Sequence, residues 1–80
     1  MYYVYVLQSE KFEEQLYFGS TSNLPNRITA HNNGQSPHTA KYKPWKVIWY
    51  GAFESAKLAR DFEKYLKTAS GKAFLRKRLT

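Results

Sequence analysis

Residues Tyr2 to Gln8 read Tyr-Tyr-Val-Tyr-Val-Leu-Gln, a run that alternates like a strand yet is apolar or aromatic on both faces. A strand of that kind needs cover above and below, which places it inside a layered sheet rather than on a solvent-facing one. The chain has 80 residues with which to supply that cover, enough for one domain spanning residues 1–80. Roughly 60–65% of the unfolded surface can be buried at this size, so the core is modest. Seven Tyr, five Phe and two Trp are a rich aromatic set for so short a chain and argue against disorder.

Several classes fall away at once. With no Cys, neither a disulfide scaffold nor a thiolate zinc site is possible. Two His are too few for a His-rich metal site. No apolar run approaches the roughly 20 residues of a membrane span. Met1 leads directly into the strand pattern without a basic leader, so no signal peptide is expected and a cytoplasmic location is the default.

The rest of the chain reads as alternating strand and helix signals. Ser9 to Gln15 is a polar hairpin connection, and Leu16 to Ser20 is a second short strand. Gly19 inside it marks a bulge or a close backbone approach. Ser22 or Asn23 caps a helix with Pro25 in its first turn. Leu24, Ile28 and His31 form one stripe, and Gly34 ends the helix. Gln35 to Lys43 reads as a polar loop. Trp45 to Phe53 is β-rich and predicts the longest strand. Ser55 caps an amphipathic helix running to about Thr68, with Leu58, Phe62 and Leu66 at helical spacing beside Ala59 and Tyr65. Ser70-Gly71 breaks it. A last helix over 71–79 turns Phe74, Leu75 and Leu79 inward and Lys72, Arg76, Lys77 and Arg78 outward. The order is ββαβαα, an α/β chain whose third strand has no direction fixed by pattern alone.

Charge is unevenly shared. Residues 41–80 carry eleven Lys/Arg against three acidic residues, whereas residues 1–40 carry two against three. A basic half with interleaved aromatics suits a polyanion. Lys41, Lys43 and Lys46 surround Tyr42 and Trp45, and Lys72 and Arg76 lead the final basic helix. Cations there would contact phosphate, and aromatics can stack on unpaired bases, although Trp45 is expected to pack inward. Neither patch holds a base-reading motif, so backbone contact is the expectation.

Taken singly, the chemistry-bearing residues have plain readings. Tyr3, Tyr5 and Tyr17 suit half-buried strand positions, Arg27 a solvated helix face, and His31 a packed histidine. Glu63 has Arg60 and Lys67 within one turn, which suits a surface ion pair. Their joint order says more. Tyr3-Val4-Tyr5-Val6-Leu7, Tyr17-Phe18-Gly19, Thr21-Ser22-Asn23-Leu24 with Arg27 and His31, Asn32-Asn33-Gly34, Pro44-Trp45-Lys46 and Ala59-Arg60-Asp61-Phe62-Glu63-Lys64-Tyr65-Leu66-Lys67 follow in sequence. This set resembles the GIY-YIG nuclease superfamily, in particular its small stand-alone bacterial members, over essentially the whole chain.

The resemblance implies an α/β sandwich with a central three-stranded antiparallel sheet flanked by helices. It also implies hydrolysis of phosphodiester bonds in nucleic acid, DNA before RNA, with one divalent ion, Mg²⁺ or Mn²⁺. Tyr5 and Tyr17 take the places of the two motif tyrosines, Arg27 that of the family arginine, His31 the polar residue one turn later, and Glu63 the metal-binding glutamate. These roles make physical sense. Arg27 offers a permanently charged fork for phosphate, and Glu63 a carboxylate for a hard cation. Tyr5 is read as the base and Tyr17 as orienting phosphate or water, an assignment the sequence alone leaves interchangeable. A tyrosine base needs its pKa brought down from about 10. Arg27 and a metal are expected to do that, with His31 relaying the proton.

Three positions depart from the pattern. Tyr3 stands where the first motif has glycine, Phe18 where the second has isoleucine, and residues 68–72 lack the asparagine found beyond the metal helix in many relatives. That last departure keeps open a second expectation, a non-catalytic DNA- or RNA-binding module on the same fold. A third is a protein that acts only with a protein partner that targets it. With no appended targeting domain in view, cutting is expected to be structure-dependent or weakly specific. No membrane association is expected.

Overall fold

A computed structural model describes residues 1–79. The side chain of Leu79, expected to face inward, lies outside the described residues. The elements are β1 (Tyr2–Ser9), β2 (Leu16–Thr21), α1 (Leu24–Asn32), α2 (Pro37–Ala40), β3 (Trp45–Phe53), α3 (Ala56–Leu66) and α4 (Ala69–Leu79). The sheet order is β2-β1-β3 and both pairings are antiparallel. The doubly apolar strand is therefore the central one, and the third strand's open direction resolves as antiparallel.

Strand alternation divides the core in two. Val4 and Val6 point to one face, where they meet Ala59 and Leu66 of α3 and Leu75 of α4. Phe18, Ile48, Trp49, Phe53, Phe62 and Phe74 close around them. Tyr5 and Leu7 point to the other face and pack with Trp45, Leu24, Ile28, Tyr17, Tyr42 and Val47. Each face thus has its own helical cover: α3 and α4 on one side, α1 and α2 on the other. Between Val6 and Leu7 the β1–β3 register slips, so that Val6 faces Trp49 while Leu7 faces Val47. The extra residue is Ile48, which joins Trp49 in the Val4–Val6 layer, a displacement that a bulge permits.

The caps follow local chemistry. Asn23 Oδ1 accepts from Asn26 N at 3.2 Å at the start of α1, and Ser55 Oγ accepts from Leu58 N at 3.1 Å at the start of α3. Beyond α1, Gly34 takes φ +76°. No helix among the described residues is long and apolar enough to cross a membrane.

Three sequence expectations are corrected. The Gln35–Lys43 loop contains α2, started by Ser36 and Pro37 and fixed by Thr39, which is buried. Leu58 is 53% exposed and not part of the core stripe; Ala59, one position on, takes the inward place. The α3–α4 break falls at Lys67–Thr68, and Gly71 lies inside α4. There a Cβ would run into the Tyr65 carbonyl oxygen and come within 2.5 Å of the Leu66 Cα. Gly71 is needed because two helix backbones touch at it. Gly71→Ala is expected to destabilise the domain by about 1–3 kcal/mol through overpacking, outweighing alanine's better helix propensity. A lowered urea midpoint at unchanged slope is the expected result; an unchanged midpoint would contradict the packing argument.

Candidate active site

The β1–β2 hairpin sets two tyrosines on the face covered by α1. Leu7 pairs with Tyr17 and Tyr5 with Gly19, so Tyr5 and Tyr17 are diagonal neighbours with ring centroids 6.2 Å apart. The strand pairs regularly through Gly19, so of the two expectations for that residue the close approach holds. A Cβ on Gly19 would collide with the Tyr5 hydroxyl and sit 2.6 Å from its Cζ. The missing side chain is the space in which the Tyr5 phenol lies.

Helix α1 brings Arg27 and His31 to the same place from one turn apart. The His31 ring lies 4.7 Å from that of Tyr17 and 6.0 Å from that of Tyr5. Asn32 holds the end of this helix to the first residue of β3. Its Oδ1 accepts from Trp45 N at 2.5 Å and its Nδ2 donates to Trp45 O at 3.2 Å. A side-chain amide here completes the strand's backbone hydrogen bonding, as buried backbone groups require.

We assign the His31 tautomer from its hydrogen bonds. Thr39 Oγ1 donates its single hydrogen to Ser36 O at 3.3 Å. It can then only accept from His31 Nδ1, 2.8 Å away. With Nδ1 protonated, Nε2 carries the lone pair and accepts from the Tyr5 hydroxyl at 3.1 Å. The Tyr5 proton thus points at a basic nitrogen, in an array where Tyr5 is 1% exposed and His31 and Thr39 are equally buried.

Burial and charge set the resting protonation. Desolvation pushes the Tyr5 phenol above its ordinary value, and this outweighs the Arg27 guanidinium, which pulls it down. Burial, aided by the charge of Arg27, pushes His31 below its ordinary 6.5. Arg27 thus pulls the Tyr5 phenol down as expected, but by less than burial raises it: at rest Tyr5 is neutral phenol and His31 neutral imidazole. Arg27 interacts with both the Tyr5 and Tyr17 hydroxyls, which raise its own high pKa further.

The His31 shift has a consequence for stability. The folded state disfavours the proton that the unfolded chain accepts at about 6.5. Stability from this source is complete above that pH and is lost as pH falls through it toward the lower folded value. Denaturant titrations between pH 7.5 and 5 are expected to show that loss in the wild type and a smaller one in His31→Gln. Equal slopes would contradict the buried neutral imidazole.

Glu63, on α3, comes to the site from the opposite layer. Its carboxylate is near enough to raise the Tyr5 pKa, and its side chain is 20% exposed. Lys67 Nζ donates to Glu63 Oε2 at 3.1 Å. That bond occupies one oxygen, and the partner expected within one turn is thus Lys67. No group of three or more His, Cys, Asp or Glu among the described residues could hold a metal ion.

The basic residues do not gather. Lys41, Lys43 and Lys46 are exposed around the junction of α2 and β3, with Lys41 Nζ 5.2 Å over the Tyr42 ring. Trp45 packs inward as expected, its Nε1 donating to Thr39 O at 2.8 Å. Lys72 and Arg76 lie on α4 in the opposite layer, lining a cleft with Glu14, Leu16, Phe18 and Leu75. Sequence reasoning missed Thr39 and Asn32. Ser36-Pro37 is a helix-start signal that pointed to the turn holding Thr39; nothing local marks Asn32 as a strand clamp.

The GIY-YIG catalytic domain family matches residues 1–78. A UPF0213 protein of Clostridium perfringens is 41% identical over 68 residues, covering 84% of this chain and 71% of its own length. A UPF0213 protein of Pediococcus acidilactici is 33% identical over 78 residues, covering 94% of this chain and 78% of its own. The structure-specific endonuclease subunit SLX1 of Chaetomium globosum is 36% identical over 69 residues, covering 79% of this chain but 21% of its own.

Proposed function

The chain belongs to the GIY-YIG family, and from that premise we propose that it is a cytoplasmic, metal-dependent endonuclease that hydrolyses phosphodiester bonds of DNA. We further propose that its choice of substrate follows DNA structure more than sequence. The observation that carries the reading is the Tyr5–His31–Thr39 hydrogen-bond chain under an arginine that engages both tyrosines. The name of the SLX1 relatives, structure-specific endonuclease subunits, supports the choice of reaction and of selection by structure. That they are named subunits also supports a protein partner for this chain, whose role we propose is targeting.

The chemistry runs through this chain's own side chains. Arg27 binds the non-bridging oxygens of the scissile phosphate with its planar fork. With phosphate on Arg27, the phenol of Tyr5 gives its proton to His31 Nε2 in the same step as it takes one from the attacking water, so that no tyrosinate accumulates. Thr39 keeps the imidazole turned so that Nε2 faces Tyr5. Tyr17, half-buried beside His31, orients the phosphate or the water. In this scheme Tyr5 is the base and Tyr17 the orienting group.

The donor set fits Mg²⁺ or Mn²⁺. Such ions are often held by one or two carboxylates, with water and substrate phosphate completing the shell, and Glu63 Oε1 is left for this role when Oε2 holds Lys67. When bound, the ion would stabilise charge on the departing oxygen. For nucleic-acid contact, Lys41, Lys43, Lys46, Lys72 and Arg76 are proposed to touch backbone phosphate from the two layers, giving salt-sensitive binding.

The test is cleavage of labelled single-stranded, duplex, flap and nicked DNA and of RNA, with Mg²⁺ and with Mn²⁺. Cutting of one structural class of DNA is the expected result. Salt-sensitive binding with no cutting under either metal would turn the assignment to a non-catalytic nucleic-acid module.

A further inference from the structure

The face of the sheet that carries Tyr5 is only partly covered by α1. Tyr5 pairs directly with Tyr50 of β3, and Tyr3, two residues away, pairs with Ala52. Residues directly opposite in an antiparallel pair share a face, so Tyr3 and Tyr50 stand on the Tyr5 face, on the side away from Tyr17. There the cover stops: Tyr50 is 58% exposed, although Tyr5 beside it is 1% exposed. The Tyr3 and Tyr50 rings meet at 6.4 Å with planes tilted by 58°. No hydrogen bond or ion pair holds the Tyr50 hydroxyl among the described residues.

This aromatic pair lies next to a buried polar site yet belongs to neither half of the core. Its chemistry matches a nucleobase, a flat π-surface that stacks on tyrosine without regard to sequence. Its place matches too, since Tyr50 is the immediate cross-strand neighbour of the residue proposed to activate water. We propose that Tyr50, backed by the tilted ring of Tyr3, is a stacking platform for one unpaired nucleobase flanking the phosphate that Arg27 holds. A base inside a continuous duplex is stacked on its neighbours and cannot lie on Tyr50. The platform therefore selects DNA with at least one unpaired nucleotide beside the cut, such as a flap, gap or single strand. The inference rests on the nuclease reading for its choice of ligand.

The probe is a short DNA carrying the fluorescent base 2-aminopurine, either unpaired beside a junction or inside a full duplex, titrated in EDTA so that no cutting occurs. Wild-type protein is expected to quench the unpaired probe and leave the duplex probe unchanged. Affinity for the unpaired form should fall about 5- to 150-fold in Tyr50→Ala and Tyr50→Leu, the range seen when one stacking aromatic is removed. Tyr50→Phe and Tyr50→Trp should retain it. Loss in Tyr50→Ala with retention in Tyr50→Leu would overturn the proposal in favour of a merely apolar contact. Quenching unchanged in Tyr50→Ala would also overturn it. So would a shift in sedimentation without loss of quenching, which would give the face to a second copy of the chain. Cleavage of the same DNAs with Mg²⁺ is scored separately. Quenching without any cutting would remove the nuclease reading and leave the platform standing as a binding device.

Discussion

Tyr5→Phe is expected to lower single-turnover DNA cleavage by about 10²- to 10⁴-fold, the range contributed by a positioned proton-transfer group. The substitution keeps the ring that fills the space above Gly19 and removes only the hydroxyl that donates to His31 Nε2. DNA binding should be little changed, because Arg27 and the surface lysines are untouched. Folding stability should fall by about 1–3 kcal/mol, since a buried imidazole nitrogen loses its partner. The pH dependence separates a catalytic from a structural role. Activity through a neutral His31 should fall on the acid side only below the ordinary histidine value, because burial and Arg27 hold this imidazole's pKa down. A Tyr5→Phe protein that cuts at the wild-type rate would remove Tyr5 from the mechanism and leave Tyr17 as the remaining tyrosine beside His31.

Arg27→Lys should be nearly as damaging, with cleavage down about 10²- to 10³-fold, the loss seen when one donor to a developing charge is removed. Lysine keeps the positive charge but not the planar fork, and here the guanidinium serves two tyrosine hydroxyls besides the phosphate it is proposed to bind. The charge of Arg27 also opposes burial at Tyr5 and assists it at His31. Arg27→Lys should shift the acid limb of the pH–rate profile only slightly, whereas Arg27→Ala should move it upward by removing the positive charge near His31. Wild-type cleavage by Arg27→Lys would show that the fork geometry is not used.

What the sequence discloses and what it hides divide along a physical line. The central strand, the caps at Asn23 and Ser55 and the boundaries of β3 are local, because period, capping chemistry and β-propensity act within a few residues. So is the pairing of Arg27 with His31, which one helical turn sets. The shared face of Tyr5 and Tyr17 needs only hairpin pairing. The sign of the Tyr5 shift is not local. It depends on how deeply two layers bury the phenol, which no spacing reports. Thr39 and Asn32 escape for the same reason, since their partners lie eight and thirteen residues away. Leu58 turns outward while Ala59 beside it is buried, because a stripe fixes an axis, while the layer packed against it decides which edge is covered. Gly71 looks like a stop and acts as a contact point, a distinction set by the neighbouring helix.

The most direct measurement is single-turnover cleavage of a structured DNA by wild type and by Glu63→Gln, each in Mg²⁺, in Mn²⁺ and in EDTA, with folding of both proteins verified by circular dichroism. The site described here predicts metal-dependent cutting by the wild type, none in EDTA, and a loss in Glu63→Gln under both metals with DNA binding retained. Cutting by Glu63→Gln at the wild-type rate, or cutting that persists in EDTA, would contradict it.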